Sequence, residues 1–102
     1  MKKVTVLRLS GCTYCEELVR KLNAKQVAYS TIDADIESDF ADEVEDLLDV
    51  YVYPIVRIED NAGRYKYLYR AANSKELGSK EINGGIKVGV LGIDEIVAII
   101  NG

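Results

Sequence analysis

The 102-residue sequence predicts an α/β fold: a four-stranded mixed β-sheet flanked by helices, in the order β-α-β-α-β-β-α. Three observations carry that expectation. The apolar pattern opens with a period of two and then changes to helical spacing. A strand–helix–strand start demands a parallel strand pair joined by a right-handed crossover. A later turn flanked by two alternating runs adds an antiparallel hairpin, and helices then cover both faces of one sheet.

Residues 3–9 alternate and are rich in β-branched and apolar types, which reads as a buried strand broken by Ser10 and Gly11. From Thr13 onward Cys15, Leu18, Val19 and Leu22 recur at helical spacing among Glu16, Glu17, Arg20 and Lys21, giving a helix to about Lys25. Residues 27–33 form a second short strand, and Asp33, Asp35 and Ser38 supply turn and cap chemistry. Phe40, Val44, Leu47 and Leu48 mark a second amphipathic helix with an acidic, solvated outer face. Pro54, the only proline, opens the run Ile55-Val56-Arg57-Ile58. The turn signal Asp60-Asn61-Ala62-Gly63 then leads into strict alternation from Arg64 to Arg70, so residues 54–70 read as a hairpin. Tyr65, Tyr67 and Tyr69 share one face of it, a stripe best explained by packing. Residues 71–91 carry Gly78, Gly84, Gly85 and Gly89 and read as a loop with little regular structure, with room for a helical turn near Ser74–Leu77 and a short strand at Ile86–Val90. In the last helix Ile93, Ile96, Val97 and Ile100 share one side, and Asp94 and Glu95 occupy the first turn, where negative charge suits the helix dipole.

Composition narrows the function. A chain of this length is the size of one domain and needs no disulfide staple to hold a core. The formal net charge of −4 and the scatter of its basic residues argue against nucleic-acid binding. No segment approaches a bilayer span. The opening Lys2-Lys3-Val4-Thr5-Val6-Leu7 lacks the pattern of a signal peptide. A cytoplasmic protein without membrane or nucleic-acid partners is therefore expected. In that compartment a close cysteine pair is more often catalytic or metal-binding than structural. With no histidine and two cysteines in all, a four-ligand zinc site lacks its other ligands.

Cys12 and Cys15 stand where the first strand gives way to the first helix. A cysteine at a helix N-terminus meets unsatisfied backbone N–H groups and the positive dipole end, which favour the thiolate. The thiolate is the attacking species in disulfide exchange. Residues i and i+3 share a helix face, so Cys15 lies within reach of Cys12. Cys12 at the tip is expected to be the exposed nucleophile and Cys15, one turn in, the resolving thiol. Glu16 and Glu17 oppose thiolate formation modestly.

On these residues the chain resembles the glutaredoxins, members of the thioredoxin-fold superfamily. The family's Cys-Pro-Tyr-Cys motif is matched by Cys12-Thr13-Tyr14-Cys15, with Thr13 in place of proline. Its cis-proline loop, commonly Thr-Val-Pro, is matched in the proline by Val52-Tyr53-Pro54. Its Gly-Gly pair followed by two acids is reduced to Leu91-Gly92-Ile93-Asp94-Glu95. The basic residue that the family places shortly before its first cysteine is replaced by the neutral Leu9 and Ser10. The resemblance covers residues 3–70 and 91–101 of a single glutaredoxin-like domain, and 71–91 is an insertion without counterpart.

The resemblance implies a thioredoxin-like fold and a thiol–disulfide oxidoreductase. Its substrates would be glutathione mixed disulfides or protein disulfides, with glutathione as reductant and co-substrate and no tightly bound cofactor. Tyr53 and Pro54 would pair with glutathione's cysteine as a short strand does. Gly92, Asp94 and Glu95 would meet its γ-glutamyl end, assisted by the N–H groups opening the last helix. Tyr14 would shape the groove. A monomer is expected. Three other readings stand beside this one: a thioredoxin-like electron donor served by a flavin reductase, a dimeric carrier of a 2Fe–2S cluster held by Cys12 and glutathione, and an adaptor domain that uses the fold without turnover and binds through 71–91. The absence of tryptophan, which usually precedes the first cysteine of thioredoxins, favours the glutaredoxin reading.

Overall fold

A computed structural model describes residues 2–102. Its elements in order are β1 (Lys3–Arg8), α1 (Thr13–Ala24), β2 (Ser30–Asp33), α2 (Ser38–Leu48), β3 (Ile55–Glu59), β4 (Tyr65–Arg70), a 3₁₀ turn (Ser74–Glu76), β5 (Gly78–Ile82), β6 (Gly85–Val90) and α3 (Ile93–Asn101). The strands form one mixed sheet in the order β2-β1-β3-β4-β6-β5. β1 pairs β2 in parallel and β3 antiparallel, and β4 returns antiparallel to β3. β4 therefore runs in the same direction as β1, so Arg70 ends at the sheet edge where α1 begins.

The sheet has six strands where four were expected, and the correction lies in 71–91. The 3₁₀ turn and the strand at the end of that segment appear where the sequence left room for them; β5 does not follow from the apolar pattern. β6 pairs in parallel with β4, and β5 closes the edge antiparallel to β6. Two of the glycines serve this pairing rather than a loop. A Cβ on Gly85 would lie 1.8 Å from the Tyr65 carbonyl oxygen, and one on Gly89 would lie 2.0 Å from that of Glu76. Glycine inside a strand marks such close backbone approach. Gly89→Ala is expected to destabilise the protein by about 1–3 kcal/mol, because backbone must move to admit the methyl group. Chemical denaturation measures it, and an unchanged midpoint would show that the segment gives way freely.

Side-chain alternation sorts the interior onto two faces of the sheet. On one, Val4, Val6, Val56, Ile58 and Leu68 pack against Leu18 and Leu22 of α1 and Ile93, Ile96, Val97 and Ile100 of α3. On the other, Leu7, Ile55, Tyr67 and Tyr69 pack with Cys15 and with Ala41, Val44 and Leu48 of α2. The tyrosine stripe is thus mostly core: Tyr67 and Tyr69 are buried, and Tyr65 lies partly buried beside Arg57, whose guanidinium sits 4.7 Å from its ring. The β5–β6 hairpin is also fastened to α2, since the Lys87 ammonium donates to the Leu48 carbonyl at the helix C-terminus, where a cation suits the dipole. None of the helices among the described residues is long and apolar enough to cross a membrane.

Candidate active site

The chain leaves β1 and turns at once into α1. Gly11 makes the turn with φ +76°, a conformation that L side chains rarely adopt, and the Cys12 N–H donates back to the Leu9 carbonyl at 3.3 Å. Cys12 is the N-cap of α1: its Sγ accepts from the Cys15 N–H at 3.2 Å, taking one of the donors a helix start leaves unpaired. The two cysteines are joined as a disulfide with Cα atoms 5.2 Å apart. Cys12 is half-buried, whereas Cys15 is 0% exposed and belongs to the core beside α2.

The loop from α2 to β3 faces this disulfide. The Tyr53–Pro54 peptide is cis, as the resemblance implied, and both residues are buried. The Tyr53 carbonyl oxygen lies 3.9 Å from Cys12 Sγ. The tyrosine ring turns the other way, and its hydroxyl donates to Glu45 Oε2 at 2.6 Å. Tyr14 is 48% exposed beside the motif. The structure thus brings Cys12, Cys15, Tyr14, Tyr53 and Pro54 together.

The acidic pair opening α3 is engaged elsewhere. Asp94 is ion-paired with Lys21 of α1, which also meets Glu17 at 2.9 Å. Asp94 and then Glu17 hold the exposed Lys21 amine above its ordinary range. Glu95 Oε2 accepts from the Leu91 N–H at 3.3 Å, reaching back over the helix start whose N-cap is Gly92. No group of three or more His, Cys, Asp or Glu side chains among the described residues is arranged to hold a metal ion.

One residue of this site escaped the sequence reading. Arg70 Nη2 donates to the Tyr53 carbonyl oxygen at 3.0 Å, and the guanidinium lies 3.7 Å from the centre of the Tyr14 ring. A signal for it existed. A hairpin whose second strand runs with β1 must end at the edge that carries the cysteines.

The buried tyrosines give the protein an alkaline limit. Burial raises the pKa of Tyr53, with the Glu45 bond adding to it. Burial also raises Tyr67 against a lowering by Arg57, and raises Tyr69. Below the ordinary tyrosine value of about 10 all three are protonated in folded and unfolded chains alike, so they add no pH dependence there. Above it the unfolded chain releases its protons first and therefore binds fewer, so folding stability falls as pH rises. Urea midpoints are expected to drop from pH 10 upward together with a late rise in tyrosinate absorbance. Ordinary titration of all seven tyrosines near pH 10 would contradict this.

A cysteine pair at a helix N-terminus, half-exposed at the tip and buried one turn in, facing a cis-proline loop, defines a thiol–disulfide protein built on a mixed sheet flanked by helices. The family model described as Glutaredoxin matches residues 4–62, more than half of the chain, and the chain belongs to the glutaredoxin family. That family is one of thiol–disulfide oxidoreductases, and the mixed α/β arrangement is compatible with the thioredoxin-like fold. No curated protein matches the chain. Arg70, the β5–β6 hairpin and the start of α3 all lie beyond the matched stretch.

Proposed function

We propose that this chain is a dithiol glutaredoxin that reduces glutathione mixed disulfides and protein disulfides with glutathione as reductant. The observation that carries the reading is the asymmetry of the Cys12–Cys15 pair, open at one sulfur and enclosed at the other. In the reduced protein the Cys12 thiolate attacks a substrate disulfide, forming a mixed disulfide and releasing one substrate thiol. Cys15 then attacks Cys12 Sγ, freeing the second thiol and leaving the intramolecular disulfide. Two glutathione molecules, ending as glutathione disulfide, return it to the dithiol. Each exchange breaks one S–S bond and forms another, so electrons balance at every step.

Glutathione's cysteine would run alongside Tyr53 and Pro54, its N–H taking a free lone pair of the Tyr53 carbonyl. Its γ-glutamyl end would lie near Gly92, Asp94 and Glu95, with Asp94 exchanging Lys21 for the incoming α-amino group. In this reading residues 1–102 are one domain, and the β5–β6 hairpin is an addition to the family's sheet.

The discriminating experiment runs two assays side by side. Glutathione-dependent reduction of a small glutathione mixed disulfide is expected to proceed rapidly. Flavin-reductase-dependent reduction of insulin is expected to be slow. Activity in the second alone would make the protein a thioredoxin-like donor and overturn the choice of reductant.

A further inference from the structure

Arg70 ends β4 at the edge where α1 and α3 begin. The Tyr53 carbonyl oxygen that accepts from its Nη2 is the same atom that lies 3.9 Å from Cys12 Sγ. One oxygen therefore separates a fixed cation from the half-exposed sulfur. The guanidinium is held by the Tyr14 ring and by this bond, while its Nε is buried without a hydrogen-bond partner. Among the described residues it makes no ion pair, so its charge is not cancelled by a carboxylate.

A carbonyl oxygen facing a thiolate opposes it, because both carry negative charge. A guanidinium bonded to that oxygen offsets the opposing dipole and adds an attraction of its own. Arginine suits the place, being planar, weakly hydrated and inclined to stack on aromatic rings. We propose that Arg70 is the positioning residue for the Cys12 thiolate, fixing Tyr14 and the Tyr53 carbonyl around the sulfur and favouring the anion over the thiol. This rests on the reading of Cys12 as nucleophile and extends it to a residue outside the family match.

The other charged groups on the surrounding elements divide clearly. Glu17 and Asp94 are paired with Lys21, and Glu95 holds the Leu91 N–H. Arg8 ends β1. Glu16 in the first turn of α1 and Asp35, which accepts from the Ser10 N–H at 3.0 Å, oppose the thiolate, as do Asp42, which acts on Tyr53, and Glu76, which accepts from the Ala72 N–H just past Arg70. The phenols of Tyr14 and Tyr53 stand beside the sulfur, that of Tyr53 facing Glu45, and Tyr67 and Tyr69 lie in the core cluster that holds Cys15. Of all these charged groups Arg70 is the one that touches both Tyr14 and Tyr53.

The test is the pH profile of Cys12 alkylation by iodoacetamide in the reduced full-length protein, read by peptide mass. Wild type is compared with Arg70→Gln and Arg70→Lys. Loss of the cation in the Gln variant is expected to raise the apparent Cys12 pKa by about one unit. The Lys variant should recover part of the shift, since it keeps the charge but not the planar stacking group. An unchanged profile in a folded Gln variant would overturn the proposal. If that variant does not fold, salt decides in the wild type. Screening is expected to raise the Cys12 pKa where a cation dominates, and a flat or falling value would overturn Arg70's role. A wild-type Cys12 that reacts no faster than Cys15 would bring down the underlying reading as well, so the two failures are distinguishable.

Discussion

Cys12→Ser is expected to reduce glutathione-dependent turnover to the uncatalysed level, a loss on the order of 10³-fold or more, as removal of a nucleophile does. A serine hydroxyl does not ionise near neutral pH and forms no mixed disulfide. The substitution should leave the fold intact, because Cys12 is half-buried at a helix tip and serine is a good N-cap. Cys15→Ser should behave differently. Cys12 would still attack, but a protein disulfide would stall as a covalent adduct visible by mass. A small glutathione mixed disulfide would still be cleared by external glutathione. Equal loss in both variants on that small substrate would show that the two sulfurs act only as a pair, and the nucleophile–resolver assignment would fall.

The largest expected stability effect is at Leu18. Its side chain is 0% exposed and holds α1 to the sheet alongside Leu22, Val56 and Leu68. Leu18→Ala removes buried methyl groups and leaves a cavity, at a cost of about 2–5 kcal/mol. That is a large share of the ~5–15 kcal/mol by which a domain is stable. Each kcal/mol lowers the melting temperature by roughly 4–8 °C at this size, so calorimetry should find a pronounced drop. Arg20→Ala, on the exposed face of the same helix, should stay within about 0.5 kcal/mol of wild type. The folded Leu18→Ala protein should still react first at Cys12, because the sulfur is set by the helix start and the Tyr53 loop rather than by the core beneath. Comparable losses at Leu18 and Arg20 would contradict the packing described.

Much of this was legible from residue pattern because local and long-range preferences agree. Helical spacing from Thr13, the Asp60–Gly63 turn and the apolar side of α3 each point to the element that forms. β2 is shorter than the 27–33 expected, since Gln26 turns the chain at φ 57° and pairing with β1 starts at Ser30. β5 was hidden for a clearer reason. Gly78-Ser79-Lys80-Glu81 is an exposed edge without apolar alternation, and Gly85 and Gly89 read as loop when they in fact admit neighbouring backbone. The site divides the same way. Cys12, Cys15 and Pro54 announce themselves by spacing and residue type. Arg70 does not, because its place depends on strand direction and on a hydrogen bond between segments 17 residues apart.

The central claim is that the Cys12–Cys15 bond is made and broken in use. Equilibration with glutathione buffers of defined ratio, with alkylation to read the two states, measures its reduction potential. A working couple should fall between roughly −270 and −180 mV, the span of thioredoxin, the glutaredoxins and protein disulfide isomerase. A value below about −300 mV, that of a structural disulfide the glutathione pool leaves intact, would contradict the account.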